Sequence, residues 1–138
     1  MSNADQSITA TDESELLEII QRWSKAVRDE DFEAIRAHHD PGILMFDVPT
    51  PFLSRGIDAY METWKLFYKF APTPVKFDFD DIQIHAGDKV AFATAIGHCR
   101  NIEPGGQTIP LDFRLTLGFR KIDGQWQIVH EHHSLPAE

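Results

Sequence analysis

The hydrophobic pattern of this chain changes period once, between Phe70 and Val75, and that change limits the folds open to it. Before it, apolar residues recur at helical spacing: Leu16, Leu17, Ile19, Ile20, Trp23, Ala26 and Val27 form one stripe, and Asp12 with Glu15 resembles a capping box at its start. The polar break Arg28-Asp29-Glu30-Asp31 closes this helix. Phe32, Ala34, Ile35 and Ala37 predict a short second helix ending before Asp40-Pro41. The run Ile43 to Val48 is too short for a core helix and is closed by Pro49 and Pro51, so it reads as a strand. Asp58 is placed to cap a third helix carrying Tyr60, Met61, Trp64, Phe67 and Tyr68, which Pro72 and Pro74 terminate.

After the change the period is two. Val75, Phe77 and Phe79 share one parity and Ile82 and Ile84 the other, so a bulge near Asp80-Asp81 is expected. Beyond Gly87-Asp88, the bulky Val90, Phe92, Thr94, Ile96 and His98 alternate with Ala91, Ala93, Ala95 and Gly97. One face of that strand is nearly bare, which lets a helix pack close. Pro104-Gly105-Gly106 turns the chain, Phe113, Leu115, Leu117 and Phe119 alternate with polar residues, and Asp123-Gly124 leads into Trp126 to His133. Helices first and then a meander of long strands means α+β, with three N-terminal helices on one side of a curved, mainly antiparallel sheet.

A chain of 138 residues is expected to be one domain, here residues 12–135 behind a flexible N-terminus of residues 1–11. The formal charge of −9, with no run among the 13 Lys and Arg, argues against a nucleic-acid partner. The lone Cys99 cannot form an internal disulfide, residues 1–11 carry no apolar leader core, and no segment approaches the ~20 apolar residues of a spanning helix. A cytoplasmic protein without a membrane partner is the expectation.

Several segments together resemble the SnoaL-like branch of the nuclear transport factor 2 superfamily, whose relatives include ketosteroid isomerase and the association domain of calcium/calmodulin-dependent protein kinase II. They are Phe46-Asp47 before a Pro-containing loop, Arg55-Gly56-Ile57-Asp58, Gly87-Asp88-Lys89-Val90-Ala91, and above all the closing string Asp123-Gly124-Gln125-Trp126-Gln127-Ile128-Val129-His130-Glu131-His132-His133-Ser134. The resemblance spans roughly residues 12 to 134. It implies a cone enclosing one pocket for a small, mostly apolar organic molecule, and commonly a homodimer through the outer sheet face. It does not imply one activity, because this fold hosts isomerases, cyclases, dehydratases, hydrolases and non-catalytic hubs.

Asp47 interrupts an apolar strand and occupies the place that resembles the isomerase general base. A carboxylate on an apolar wall loses solvation, so its pKa should rise and it could move a proton between two carbons of a substrate. The plain alternative is a strand-end aspartate bonded to a nearby amide or arginine. Alternation sets Met45 beside it. Tyr60 and Trp64 could wall the pocket or be ordinary core.

The last strand poses a facing problem. A two-residue loop at Asp123-Gly124 sets Leu117 opposite His130, whereas a three-residue loop with Gly124 left-handed sets it opposite Val129. Hydrophobicity favours the first and the resemblance favours the second. The second is adopted: Val129, Glu131 and His133 face inward with Phe113, Leu115 and Leu117, while Trp126, His130, His132, Arg114 and His98 lie outside, hydrogen-bonding across a dimer. Glu131 and His133 would then join Asp47 as an acid/base set, or else form a plain ion pair at the rim.

A His-x-His pair is weak evidence for a metal, and none is expected, nor any cofactor. The steroid isomerase type also needs an oxyanion-stabilising pair, and here the matching strand reads Leu115-Thr116-Leu117 while the first helix lacks a tyrosine. Such donors are worth ~3 kcal/mol each, so steroid isomerisation is disfavoured. Two functions remain in view: a cofactor-free isomerase, cyclase, dehydratase or hydrolase using proton transfer by Asp47, or a non-catalytic ligand-binding or dimerisation module.

Overall fold

Each period of the sequence becomes an element in a computed structural model that describes residues 3–137. The order is α1 (Asn3–Arg28), α2 (Phe32–Arg36), β1 (His39–Phe46), β2 (Ser54–Arg55), α3 (Ile57–Phe70), β3 (Phe77–Ala86), β4 (Val90–Ile102), β5 (Thr108–Ile122) and β6 (Gln125–Ser134). The flexible terminus expected over residues 1–11 begins outside the described residues, and from Asn3 the backbone is helical. Asp12 therefore lies within α1 and does not cap it; its buried carboxylate accepts from Trp126 Nε1 at 3.2 Å and Lys121 Nζ at 3.0 Å. Asp58 likewise sits in the first turn of α3. Gly56, with φ 93°, is the capping residue, a backbone shape that favours glycine.

The sheet is mixed, in the order β2-β1-β6-β5-β4-β3, with β1 parallel to β6 and every other pairing antiparallel. Three helices cover its inner face. Ala91, Ala93, Ala95, Phe113, Leu115, Leu117 and Phe119 are buried beneath them, while Phe92 and Ile96 stand exposed on the outer side. The register of β3 against β4 shifts between Asp80 and Gln83, where Asp81 takes φ 51°, so the bulge reconciles the two parities as expected. The bare stretch of β4 is filled largely by a neighbour's side chain: the ring of Phe113 lies across Gly97, where a Cβ would come within 2.2 Å of it. Helix α1 is tied to β3 through Trp23, stacked on Phe79 at 5.4 Å, and through Ser24 Oγ and Arg28 Nη1, both donating to the Phe77 carbonyl.

The last hairpin resolves the facing problem by a route that neither turn alone provides. Ile122 pairs with Gln125 and both Asp123 (φ 51°) and Gly124 (φ 78°) are left-handed, so the loop has two residues and the three-residue alternative is overturned. Trp126 and Ile128 accordingly face inward and are buried, against the expectation that Trp126 lies outside. The register then slips: Phe119 pairs with Ile128 but Gly118 pairs with His130, leaving Val129 without an opposite residue. This one-residue bulge restores the other parity, so Leu117 faces Glu131 and Leu115 faces His133. Val129 is consumed by the bulge and does not line the pocket.

Candidate functional site

The end of β1, the bulged half of β6 and helix α3 converge on Glu131. A left-handed His38 (φ 62°), whose carbonyl accepts from Ile128 N–H at 2.7 Å, delivers the ring of His39 to the interior. Helix α3 brings Tyr60 to the same point, its ring stacked on that of His39 at 4.8 Å. Glu131, with no solvent exposure, accepts from Tyr60 O–H at 2.7 Å and His39 Nε2 at 2.7 Å through Oε2, and from His133 Nε2 at 3.2 Å through Oε1. The Ala37 carbonyl, 3.1 Å from His39 Nδ1, can only accept. His39 thus donates from both nitrogens when Glu131 is ionised, and the two form a buried ion pair of no net charge. Burial pushes the Glu131 carboxyl up, but the hydrogen bonds from His133 and His39 and their charges outweigh it and hold it at about 2. Burial and the Glu131 charge push the Tyr60 hydroxyl well above its ordinary range.

His133 links this buried group to a pocket of about 580 Å³. Its ring is fixed by stacking on Phe113 (5.1 Å, 16°), and with Nε2 donating to Glu131 its Nδ1 is left 3.9 Å from Asp47 Oδ1. Asp47 follows directly on β1, and the Val48 N–H donates to its Oδ1 at 2.8 Å, the amide contact of the plainer reading. Burial raises the Asp47 pKa above 3.8; His133 and the Val48 amide pull it down and Glu131 adds to the rise. The pocket wall is otherwise mainly aliphatic and aromatic, with Met45, Trp64, Phe67, Phe77, Leu111 and Phe113 prominent.

Asp47, His133, Met45, Trp64 and Phe113 therefore share the pocket, as the sequence reading placed them. Glu131 lies behind His133 and reaches the pocket only through it. Tyr60 is buried against Glu131 and His39, and Leu115 and Leu117 are core residues beneath the helices, so these three do not line the wall. His39 was missed because its neighbours in sequence, a helix end and Asp40-Pro41, carry no sign of a buried partner. His130 and His132 lie on the outer face beside Phe46, with His130 Nδ1 donating to the Leu44 carbonyl at 2.7 Å. His98 sits between Asp112 (2.7 Å) and Asp80 (2.6 Å), and Arg114 Nε donates to Ser134 Oγ at 3.1 Å. Both ring nitrogens of His98, His130 Nδ1 and Arg114 Nε thus find partners within their own chain. Among the described residues, no three His, Cys, Asp or Glu side chains are gathered as around a metal ion.

Comparison with known proteins matches this architecture. A family model described as a SnoaL-like domain matches residues 16–138. An NTF2-like protein of unknown function from Pseudomonas putida KT2440 is 32% identical, with a TM-score of 0.83 over 94% of this chain and 89% of that one. An NTF2-like superfamily protein from Salmonella enterica is 23% identical, with a TM-score of 0.79 over 94% of each chain. A structure from Streptomyces avermitilis, named as a proposed dehydratase of the NTF2-like family, is 16% identical, with a TM-score of 0.77 over 94% of this chain and 99% of that one.

Proposed function

The chain belongs to the SnoaL-like domain family, and on that premise we propose that its pocket houses a cofactor-free acid/base enzyme acting on a small, mostly apolar organic molecule. The observation that carries this reading is the placement of Asp47 and His133, 3.9 Å apart in an otherwise mainly apolar wall, with the second nitrogen of His133 held by a fully buried Glu131. In this reading the Asp47 carboxylate removes a proton from a carbon beside an electron-withdrawing group of the substrate. The pair of electrons left on that carbon passes into the adjacent group. The proton then passes from Asp47 to another carbon, or to a leaving group as it departs, so isomerisation and elimination share the first step and both return Asp47 to its ionised form. Glu131 keeps the His133 proton on Nε2 and the Nδ1 atom toward the reacting groups, a positioning role. Leu115 and Leu117 stand where steroid isomerases need a donor, so steroid isomerisation itself is disfavoured.

Replacing Asp47 by Asn keeps the shape and removes the base. Turnover of a panel of ketones, β-hydroxy ketones, epoxides and lactones should be lost in Asp47→Asn for every compound that the wild type accepts. A variant as active as the wild type would leave the ligand-binding module as the better account. We also propose a homodimer through the outer sheet face, supported by Phe92 and Ile96 at 48% and 38% exposure beside Arg114 and His132. Sedimentation at low micromolar concentration checks it, and a clean monomer near 15.8 kDa would remove it.

A further inference from the structure

Three flat rings stand in a row across the inner face of the sheet. Phe113 of β5 is stacked on His133 of β6 (5.1 Å, 16°) and on Phe77 of β3 (5.9 Å, 22°). Trp23 of α1 is set edge-on to both outer rings, at 6.3 Å from His133 and 5.4 Å from Phe77. The row has to cross β4, and it does so at Gly97, the residue directly opposite Phe113. A Cβ at that position would stand 2.2 Å from the tip of the Phe113 ring, so any side chain there would push the ring out of the row. Gly97 is not one of the left-handed glycines, Gly56, Gly106 and Gly124, so the close approach of the ring is what its missing side chain serves.

A hydrogen bond at one nitrogen holds a point of an imidazole but not its plane, because the torsion that turns the ring is broad. Glu131 supplies that point, at Nε2. We propose that Phe113, seated on Gly97, is a positioning residue for the reaction: it fixes the plane of His133 and so keeps Nδ1 on the side of Asp47, 3.9 Å from Oδ1. This rests on reading Asp47 and His133 as the reacting pair. The hold on His133 reaches the base itself. Burial pushes the Asp47 carboxyl up and His133 pulls it down, so an imidazole turned away from Asp47 leaves that carboxyl with a higher pKa. The other titratable groups that face Asp47 are Glu131 on β6 and the Cys99 thiol on β4, and Glu103, just beyond β4, lines the same pocket. Helix α3 contributes only uncharged side chains to the wall. A displaced Phe113 ring leaves all of these in place.

The test follows the Asp47 carboxyl by 13C NMR against pH in the full chain and needs no ligand. Phe113→Leu keeps an apolar side chain in the wall, and Gly97→Ala keeps every wall residue but displaces the ring. Each should raise the Asp47 titration midpoint by at least about half of the rise that His133→Asn produces. Phe67→Leu trims another ring from the same wall, one that packs on Trp64, Tyr68 and Phe77, and should produce no rise. The wild type offers a readout that needs no variant: the carbon-bound protons of the His133 ring, lying over the face of Phe113, should resonate upfield of those of an unstacked imidazole. No rise in His133→Asn, a midpoint that stays or falls in Phe113→Leu or Gly97→Ala, an equal rise in Phe67→Leu, or unshifted ring protons in the wild type would overturn the proposal. Turnover untouched by Asp47→Asn would instead remove the acid/base reading, and a rise in both ring variants would then still show Phe113 setting the contact between His133 and Asp47.

Discussion

Replacing Glu131 by Gln should destabilise the fold by an amount that depends on pH. The carboxylate is fully buried and accepts from Tyr60, His39 and His133, so an amide in its place can serve at most part of that set. With its oxygen kept toward Tyr60, its NH2 meets His133 Nε2 and reverses that tautomer, and His39 loses its counter-charge. Breaking a buried pair from one side typically costs about 3–5 kcal/mol. Linkage gives a similar size by an independent route. The folded value of about 2 against an ordinary 4.5 is a depression of about 2.5 units, on the order of 3 kcal/mol. Because the folded pKa is lowered, the contribution is present above pH 4.5 and is lost as pH falls toward 2. Urea unfolding followed by tryptophan fluorescence should therefore show wild type and Glu131→Gln about 3 kcal/mol apart at pH 6 and less than half as far apart at pH 3. A gap under about 0.5 kcal/mol at pH 6, or one unchanged down to pH 3, would refute the reasoning.

Three further outcomes follow from the same contacts. Gly97→Ala forces its new Cβ into the ring of Phe113, 2.2 Å away, and should cost about 1–3 kcal/mol in thermal unfolding; an unchanged midpoint would mean that the ring moves aside freely. Trp126→Phe removes the donor to Asp12 and some buried volume, and a loss of about 2 kcal/mol is expected in urea titration, whereas a neutral result would place Trp126 outside the core. For any accepted substrate, the rate should rise with pH through an Asp47 pKa above 3.8. His133→Asn removes the neighbour that lowers that pKa, so this limb should move to higher pH, and a shift to lower pH would contradict the pairing.

Much of this fold is legible in the sequence because its periods are clean. The stripe from Leu16 to Val27 and the alternation from Phe113 to Phe119 each bury the parity that they announce. The Asp80-Asp81 bulge was legible because two apolar parities met there. The same conflict stood in the last strand, where Trp126 and Ile128 claim one face and Glu131 and His133 the other. A choice between two turns cannot satisfy both claims, and an extra residue at Val129 does. His39 was hidden for a different reason. Its partner Glu131 is 92 positions away, and a buried histidine paired over that distance leaves no local pattern. Asp47 and His133 were placed in the pocket by the resemblance, and their 3.9 Å separation comes from the bulge, which no propensity encodes.

The central claim is that Asp47 moves a proton at carbon with His133 beside it. The most direct measurement is turnover of the first accepted substrate in D2O, followed by NMR at the reacting carbon. In the wild type either deuterium should enter at the carbon that receives the proton or the abstracted proton itself should reappear there, and both should be lost in Asp47→Asn. Exchange or proton transfer between carbons that Asp47→Asn leaves intact would contradict it.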